Sequence, residues 1–599
     1  MKKLLPVVSI LIAAFFAYGT VLAKDITERT MVGVKESRLD EVFVLLGAFV
    51  VVAMVAGALV STSTFRIVFA QRMRELALLR AVGAGRGRLV VRLVSEGART
   101  GLLASVSGVG LAWLVAQAVP LAGLVAPGFP VPEAIGVVLG SFALTTLAVL
   151  APAVSASKVS PLEALRTSAV QDTRAAVGKA RWVLGLALLG GAGFTLFNVV
   201  TRGLGDKIRP PGLTEELLLL TVLSATLAFC ALIALGPALI NPLLRVISWP
   251  ARRLGAVGGL AVGGVGGAPR RAASITTVVA LGVALVIGTI VGTETLRSLG
   301  KAEMASAYPA DLEITGPVGD RIGLRDVLPY RRTEVQLTGP ERQLIMQASD
   351  VNLRGVRNLD DFRFQDGSVQ DMGPGKILLP TSTAERMRLR AGDQVRAGTE
   401  GHEVTLTVAA TVFGGVPLQS SAVLDPADFD RLGVPAEPDG ALANGSLSAA
   451  AGLDVVSLAD KRAEKENWFF SLFAVAIGLM ALTMLISVVG VGSTTALSVL
   501  ERTRESGLLR AIGLTRSGLR GMVTVEASLY GTIGAVLGLA LGIPYAWVGV
   551  VSLGVDWPLQ VPFADVAVVV LGLAALTALA GLLPARRAAR VSPVEALRD

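Results

Sequence analysis

Two copies of one arginine-rich segment carry the side chains best suited to bind a partner. They run from Arg72 to Gly83 and from Arg502 to Gly513, in the shared order Arg-x-Arg-Glu-x-x-Leu-Leu-Arg-Ala-x-Gly. Guanidinium groups form charge-assisted hydrogen bonds with carboxylates, so both segments favour docking onto an acidic cytoplasmic partner. The candidate residues for coupling this chain to that partner are Arg72, Arg74, Glu75, Leu78, Leu79, Arg80 and Gly83, and Arg502, Arg504, Glu505, Leu508, Leu509, Arg510 and Gly513.

An alternative is that these arginines only fix membrane topology. From Arg66 to Arg92 the sequence has seven arginines and a single acid, Glu75, as expected of a cytoplasmic loop. Leu76, Leu79 and Val82 recur at helical spacing and predict an amphipathic helix along the membrane face, ended by glycine. Positive charge alone does not require the same residue order twice, so we favour docking.

Residues for covalent or metal chemistry are sparse. Cys230 lies in an apolar run, His402 lies in a polar segment, and no cluster has metal-ligand spacing. The glycines at 263–267 lack the Gly-Lys-Ser/Thr of a phosphate-binding loop, which occurs nowhere in the sequence, and we predict a loop there. We expect no catalytic, metal or cofactor site in this chain.

Two glutamates stand where predicted membrane spans begin. Glu96 and Glu526 occupy matching places after the two basic segments. A charge near a span is costly when it faces lipid, so each glutamate either serves a functional relay or pairs with an arginine. We predict the simpler case, interfacial ion pairs with Arg92 and Arg520.

The composition is that of a polytopic membrane protein. Of the 599 residues, 52% are apolar and only 17% are charged. The net charge of +9 does not indicate nucleic-acid binding, because the basic residues flank apolar runs. We predict a multi-pass protein of the cell membrane that contacts lipid, binds no nucleic acid, and has both termini in the cytoplasm.

Apolar runs predict about ten transmembrane helices in two repeated halves. The spans are 4–23, 42–64, 97–119, 132–154, 182–200, 216–238, 273–292, 467–491, 527–549 and 563–584. The first run also resembles a cleaved signal peptide, but the repeat favours a retained helix. The predicted domains are 1–166 (first membrane half), 167–272 (linker and bridging hairpin), 273–296 (span seven), 297–466 (extracellular domain) and 467–599 (second membrane half).

Residues 297–466 differ in composition from the rest of the chain. They contain 25 of the 46 acidic residues, against 19 basic ones, and no run that could cross a membrane. Alternating segments predict strands at 376–379 and 403–408, and helices are expected at 383–390 and 426–432. We predict an α+β domain outside the cell.

The repeated motifs resemble those of the FtsX-like, or MacB-type, permease family of ABC transporters. Besides the basic segments, the resemblance rests on Val-Ser-Pro-x-Glu-Ala-Leu-Arg at 159–166 and 591–598 and on Pro269-Arg270-Arg271. It covers nearly all of the chain outside 297–466. One large domain between spans seven and eight is similar to the layout of antimicrobial-peptide resistance permeases, which adds weight to peptide detoxification.

The resemblance implies a non-catalytic permease that works with a cytoplasmic ABC ATPase. ATP would be bound by that partner, and motion would pass through the basic helices to export or to mechanotransmission. Further candidate partners are a second permease copy, in a homodimer or heterodimer, and an extracellular protein or peptide. The alternative is a membrane-anchored sensor or scaffold for an extracellular ligand or cell-wall enzyme.

Overall fold

The chain divides into two compact units. The computed structural model describes residues 4–30, 72–118, 126–158, 178–205, 213–316, 324–463, 503–553 and 557–588, with isolated positions from 47 to 69 and without 357–358, 360–361, 400 and 449–453. The helical unit comprises Met1–Gly203, Pro211–Gly292 and Val475–Asp599, and the sheet unit comprises Leu204–Pro210 and Thr293–Ala474. The predicted span 467–491, most of the span 42–64 and both Val-Ser-Pro endings lie outside the described residues.

The described part of the helical unit is mostly helical, and most of its helices are long. They are α1 (Leu4–Thr30), α2 (Met73–Ala81), α3 (Arg86–Ala116), α4 (Val131–Lys158), α5 (Lys179–Gly205), α6 (Leu213–Ile247), α7 (Trp249–Arg252), α8 (Ala256–Gly267), α9 (Pro269–Ala307), α12 (Thr503–Ala511), α13 (Arg516–Ser552) and α14 (Phe563–Ala588). Among the described residues, α3, α4, α5, α6, α9 and α13 are long and apolar enough to cross a membrane. The membrane-type helical fold is confirmed, and a total of ten spans stays a prediction.

The two halves pack their helices through equivalent small residues. A Cβ on Gly101 of α3 would lie 2.8 Å from Thr145 of α4, and a Cβ on Gly531 of α13 would meet Thr577 of α14 in the same way. Such close approach replaces the hydrophobic driving force that water supplies in soluble proteins. The repeated sequence therefore folds into a repeated helix pair.

Helix α13 also packs closely against α9. A Cβ on Gly538 would lie 2.5 Å from Val283, and a Cβ on Gly542 would lie 2.7 Å from the carbonyl oxygen of Ala284. The glycines at 534–542 have the small-residue spacing that is typical of closely packed membrane helices, and these contacts show that packing. In the first half, Gly108 of α3 approaches the backbone of Leu11 in α1 in the same manner.

The glycine-rich segment predicted as a loop is a helix. Residues Ala256–Gly267 form α8 despite six glycines, so the loop prediction is wrong. Glycine disfavours an isolated helix, but tertiary packing overrides that preference. Here Val257 and Ala261 of α8 pack against Leu519 and Met522 of α13. The absence of side chains lets α8 fit closely beside its neighbours.

The bridging hairpin predicted between the halves consists of α5 and α6. Arg181 of α5 donates from Nη2 to the carbonyl oxygen of Ile233 and from Nε to that of Ala234, both at 2.9 Å. Pro237 lies inside α6 and has no N–H to donate to the carbonyl of Ile233, four residues earlier. Arg181 thus supplies the hydrogen bond that the proline removes, which matters where water is scarce.

Arg181→Met is therefore expected to destabilise the hairpin by about 1–3 kcal/mol, because two carbonyl groups lose a charged donor. Thermal unfolding of the detergent-solubilised chain measures this change. Adding Pro237→Ala restores an N–H to the helix and should recover part of the loss. The control Lys179→Met changes an exposed cation two residues away and should have little effect. Equal losses in both single variants would contradict the assignment.

The described part of the sheet unit contains two β-sheets and several short helices. Its elements are β1 (Leu312–Thr315), β2 (Arg325–Tyr330), β3 (Arg332–Thr338), β4 (Gln343–Ser349), β5 (Phe364–Gly367), β6 (Lys376–Pro380), α10 (Thr381–Met387), β7 (Gln394–Thr399), β8 (His402–Val412), β9 (Ala422–Leu424), α11 (Pro426–Arg431), β10 (Gly440–Asn444) and β11 (Asp454–Ser457). The predicted strands lie within β6 and β8, and the predicted helices overlap α10 and α11. The extracellular position of this unit stays a prediction.

The larger sheet closes on itself. Its strand order is β5-β8-β6-β9-β4-β3-β7, and β7 also pairs with β8. Strand β8 manages this because its first half pairs with β7 and its second half with β6. Val335, Ile377, Leu406 and Phe429 belong to the buried cluster of this sheet and its flanking helices, so the closed sheet encloses a packed core. The smaller sheet has the order β11-β1-β10-β2.

Candidate functional site

The two basic helices, α2 and α12, end in the same way. Gly83 and Gly513 adopt positive φ values of 102° and 108°, which favour glycine. In each copy the glycine N–H donates to the carbonyl of Arg80 or Arg510, and the following residue donates to the carbonyl of Leu79 or Leu509. This left-handed helix end reverses the chain into α3 or α13. The predicted helix break at glycine is confirmed.

Each basic helix buries one face against its own half. In the first copy, Leu76 belongs to a buried cluster with Phe65, Phe69, Leu89 and Leu93. In the second copy, Leu509 packs against a cluster formed by Leu519 of α13 and Ala261 of α8. The basic helices are therefore part of the helical unit and do not project freely from it.

Each basic helix also exposes apolar side chains. Leu78 is 60% exposed, and its counterpart Leu508 is 55% exposed. Val82 and its counterpart Ile512 are also exposed, at the turns that follow the two basic helices. Of the predicted stripe, Leu76 is buried, whereas Leu79 is 37% and Val82 is 88% exposed, so the three residues do not share one buried face. Exposed leucines recur in both copies.

Glu96 binds the residue that precedes the first basic helix. Nη1 of Arg72 donates to both carboxylate oxygens of Glu96, at 3.0 and 2.9 Å. The predicted pair with Arg92 is wrong. Arg92 is exposed on α3, whereas the reversal at Gly83 folds the start of α2 back towards Glu96. This ion pair ties α2 to the long helix α3.

Glu526 has different partners and is nearly fully buried. Tyr530 donates its hydroxyl to Oε1 of Glu526 at 2.7 Å, and Nη2 of Arg271 donates to the same oxygen at 3.4 Å. The predicted pair with Arg520 is also wrong, because close packing of α9 on α13 brings Arg271 to the carboxylate. Sequence reasoning noted Arg271 only as part of a Pro-Arg-Arg motif and missed Tyr530.

The remaining candidate residues are less uniform. Nη1 of Arg80 donates to the carbonyl of Ser157 at the end of α4, at 3.4 Å, and Arg510 is half-buried. Glu75 is exposed. Arg74, Arg504 and Glu505 lie on the basic helices, with side chains outside the described part, and Arg502 lies outside the described residues altogether. Their role in coupling stays a prediction.

Groups for metal chemistry do not come together in the described part of the chain. There, no cluster of three or more His, Cys, Asp or Glu side chains could hold a metal ion. Cys230 is half-buried in α6, and His402 is exposed at the start of β8.

A family comparison matches the two halves. The model for the FtsX-like permease C-terminal domain matches residues 47–161 and again residues 477–593. Each match includes one basic helix and the helix pair that follows it. Both halves are therefore similar to the C-terminal domain of FtsX-like permeases. Because the same domain occurs twice, the internal repeat predicted from the sequence is confirmed.

Relatives of the FtsX-like domains are named as ABC transporter permeases. An uncharacterised ABC transporter permease of Mycobacterium tuberculosis is 23% identical over 94% of this chain and 70% of its own length. The uncharacterised ABC transporter permease YknZ of Bacillus subtilis is 32% identical over 21% of this chain and 32% of its own length. The macrolide export ATP-binding/permease protein MacB of Photorhabdus laumondii is 34% identical over 24% of this chain and 22% of its own length. The chain thus spans less than a third of YknZ and MacB.

Proposed function

We propose that this chain is the permease subunit of an ABC transporter and that a separate ATPase subunit binds its two basic helices. The observation that carries the proposal is the exposure of Leu78 and Leu508 at equivalent places in the two FtsX-like domains. An exposed apolar residue on a helix rich in arginine matches a protein interface, in which apolar anchors are ringed by polar groups.

The energy source lies in the proposed partner. The relative from Photorhabdus laumondii bears a name that combines ATP binding with a permease. The present sequence contains no Gly-x-x-x-x-Gly-Lys-Ser/Thr motif. ATP would therefore be bound and hydrolysed by the ATPase subunit, and this chain would act as its non-catalytic membrane partner.

Contacts inside each half support transmission of motion. The ion pair between Arg72 and Glu96 and the buried side chain of Leu76 fix α2 to α3. Leu509 and Leu514 fix α12 to α13. A force on either basic helix would move a long helix with it. Such movement would drive export or mechanotransmission to the extracellular side.

The proposed topology places the basic helices in the cytoplasm and the sheet unit outside the cell. Seven arginines between Arg66 and Arg92 support this orientation, because basic residues gather on the cytoplasmic side. Both termini then lie inside, and the excess of acidic residues in 297–466 lies outside.

Co-purification with an ATPase tests the proposal. We expect the wild-type chain, expressed in its native host, to retain an ABC ATPase through purification. Arg74→Glu with Arg504→Glu should lose that ATPase, because repulsion replaces attraction at both helices. The matched control Arg386→Glu with Arg390→Glu makes the same charge change at exposed positions of the sheet unit and should retain the ATPase.

Two results would contradict the proposal. One is a wild-type chain that purifies without any ATPase. The other is equal ATPase retention by the wild type and the Arg74/Arg504 variant. Either result would favour the alternative of a sensor or scaffold that does no ATP-driven work.

A further inference from the structure

A short arginine-rich bend follows the membrane helix α6. The bend, residues 245–254, contains the end of α6, the single-turn helix α7 and the turn into α8. Arg245, Arg252 and Arg253 are all exposed there. The sequence has no acidic residue between Glu216 and Glu294, so the bend carries a strong local positive charge. None of the three arginines forms an ion pair within the described part of the chain.

Large apolar side chains lie exposed beside these arginines. Val246, Trp249 and Leu254 are 77%, 61% and 60% exposed. The guanidinium carbon of Arg253 lies 3.7 Å from the centre of the Trp249 ring, so the cation stacks on the indole. Tryptophan and arginine at the end of a membrane helix are typical of the boundary between hydrocarbon and headgroups.

The inner side of the bend is fixed to the helical unit. Leu244 and Ala251 are buried in the main apolar cluster of that unit. Gly255 has a φ of +72° and turns the chain back, and a Cβ on Gly258 would collide with the carbonyl of Ala251. Helix α8 then packs on the first turns of α13, directly after the second basic helix. The exposed residues are thus held in place at one end of the unit.

We propose that the bend at 245–254 binds an anionic phospholipid at the membrane surface. The three arginines face the phosphate-bearing headgroup, and Val246, Trp249 and Leu254 enter the upper acyl region. An acidic protein would also pair with the arginines, but a tryptophan stacked on an arginine at the end of a membrane helix is typical of the boundary between hydrocarbon and headgroups, which favours a lipid. A lipid satisfies both groups, because it joins an anion to hydrocarbon.

Native mass spectrometry of the full chain tests this inference without any ATPase. The purified protein is titrated with phosphatidylglycerol and with phosphatidylcholine of the same acyl chains. We expect the wild type to prefer phosphatidylglycerol by about tenfold or more, since each arginine near an anionic surface contributes about a fivefold preference. The variant with Arg245→Gln, Arg252→Gln and Arg253→Gln should lose that preference, and each single change should reduce it in part.

The matched control removes three arginines from other helix ends. Arg86→Gln, Arg88→Gln and Arg516→Gln lie in the exposed first turns of α3 and α13. This control should keep the wild-type preference within about twofold. An unchanged preference in the Arg245/Arg252/Arg253 variant, or equal losses in variant and control, would overturn the inference. The graded single variants keep the test valid should the triple variant fail to fold.

A second arm separates lipid from free phosphate and from protein. Trp249→Ala with Leu254→Ala should weaken phosphatidylglycerol retention severalfold, and soluble glycerol phosphate in large excess should not displace the lipid. Displacement by glycerol phosphate would show that the site recognises only the phosphate group and would overturn the inference. Loss of a co-purifying ATPase with unchanged lipid preference would assign the bend to protein docking and would also overturn it.

Discussion

A chain carrying Leu78→Asp and Leu508→Asp is expected to lose at least about a hundredfold in affinity for its ATPase. Both leucines are exposed, so neither change removes a core contact. At a protein interface each would become a buried anchor, and truncation of such anchors typically costs about 2 kcal/mol or more. An unpaired carboxylate at the same place adds a desolvation cost. Because the two sites are equivalent, both substitutions should contribute to the loss of affinity.

The measurement is a titration of the purified ATPase against the chain in lipid nanodiscs. Ile345→Asp serves as the control, because Ile345 is equally apolar and exposed but lies on β4 of the sheet unit. The control should bind the ATPase like the wild type. Each single variant should show an intermediate loss. Wild-type affinity in the Leu78/Leu508 variant would rule out the exposed leucines as the docking site.

Glu526→Ala is expected to lower the free energy of unfolding far more than Glu96→Ala does. The side chain of Glu526 is 5% exposed, whereas that of Glu96 is 38% exposed. Removing one partner of a buried ion pair typically costs about 3–5 kcal/mol. A partly exposed pair such as Arg72 with Glu96 contributes only about 0–1 kcal/mol. The two halves thus differ at matching positions.

Denaturation in increasing sodium dodecyl sulfate, followed by circular dichroism, compares the two variants. Tyr530→Phe removes one hydrogen bond to Glu526 and should cost about 1–2 kcal/mol, between the two glutamate variants. Similar losses for Glu96→Ala and Glu526→Ala would contradict the asymmetry. A larger loss for Glu96→Ala would show that the Arg72 pair carries the stability of its half.

Local sequence was sufficient to predict the structure of segments whose conformation depends on neighbouring residues alone. Gly83 and Gly513 end their helices because glycine accepts a positive φ, and that requirement is visible in the sequence. Strand β8 follows from alternating apolar residues at its start, and β6 is a short continuous apolar run. Hydropathy located the apolar centres of the spans but not their ends. Helices α3 and α13 begin at Arg86 and Arg516, because arginine continues a helix well beyond the apolar part.

Contacts between distant segments escaped prediction for a common reason. One partner of Glu526 is Arg271, 255 residues away, and only the packing of α9 on α13 brings them together. Arg181 donates to the carbonyl that lacks a helical donor because of Pro237, and this contact requires the α5–α6 hairpin to have formed. The glycines of α8 favour a loop until neighbouring helices surround them. In each case the deciding energy is a tertiary contact, which local propensity does not contain.

The sequence by itself determined the doubled domain, the membrane-type helices and the repeated basic helix with its glycine end. It did so because repetition, hydropathy and backbone preference are properties of neighbouring residues. Only the tertiary structure decided which face of each basic helix is exposed, how the large sheet closes through β7 and β8, and which arginine each glutamate binds. Those outcomes depend on which surfaces meet, and a surface exists only once the helices and strands have packed.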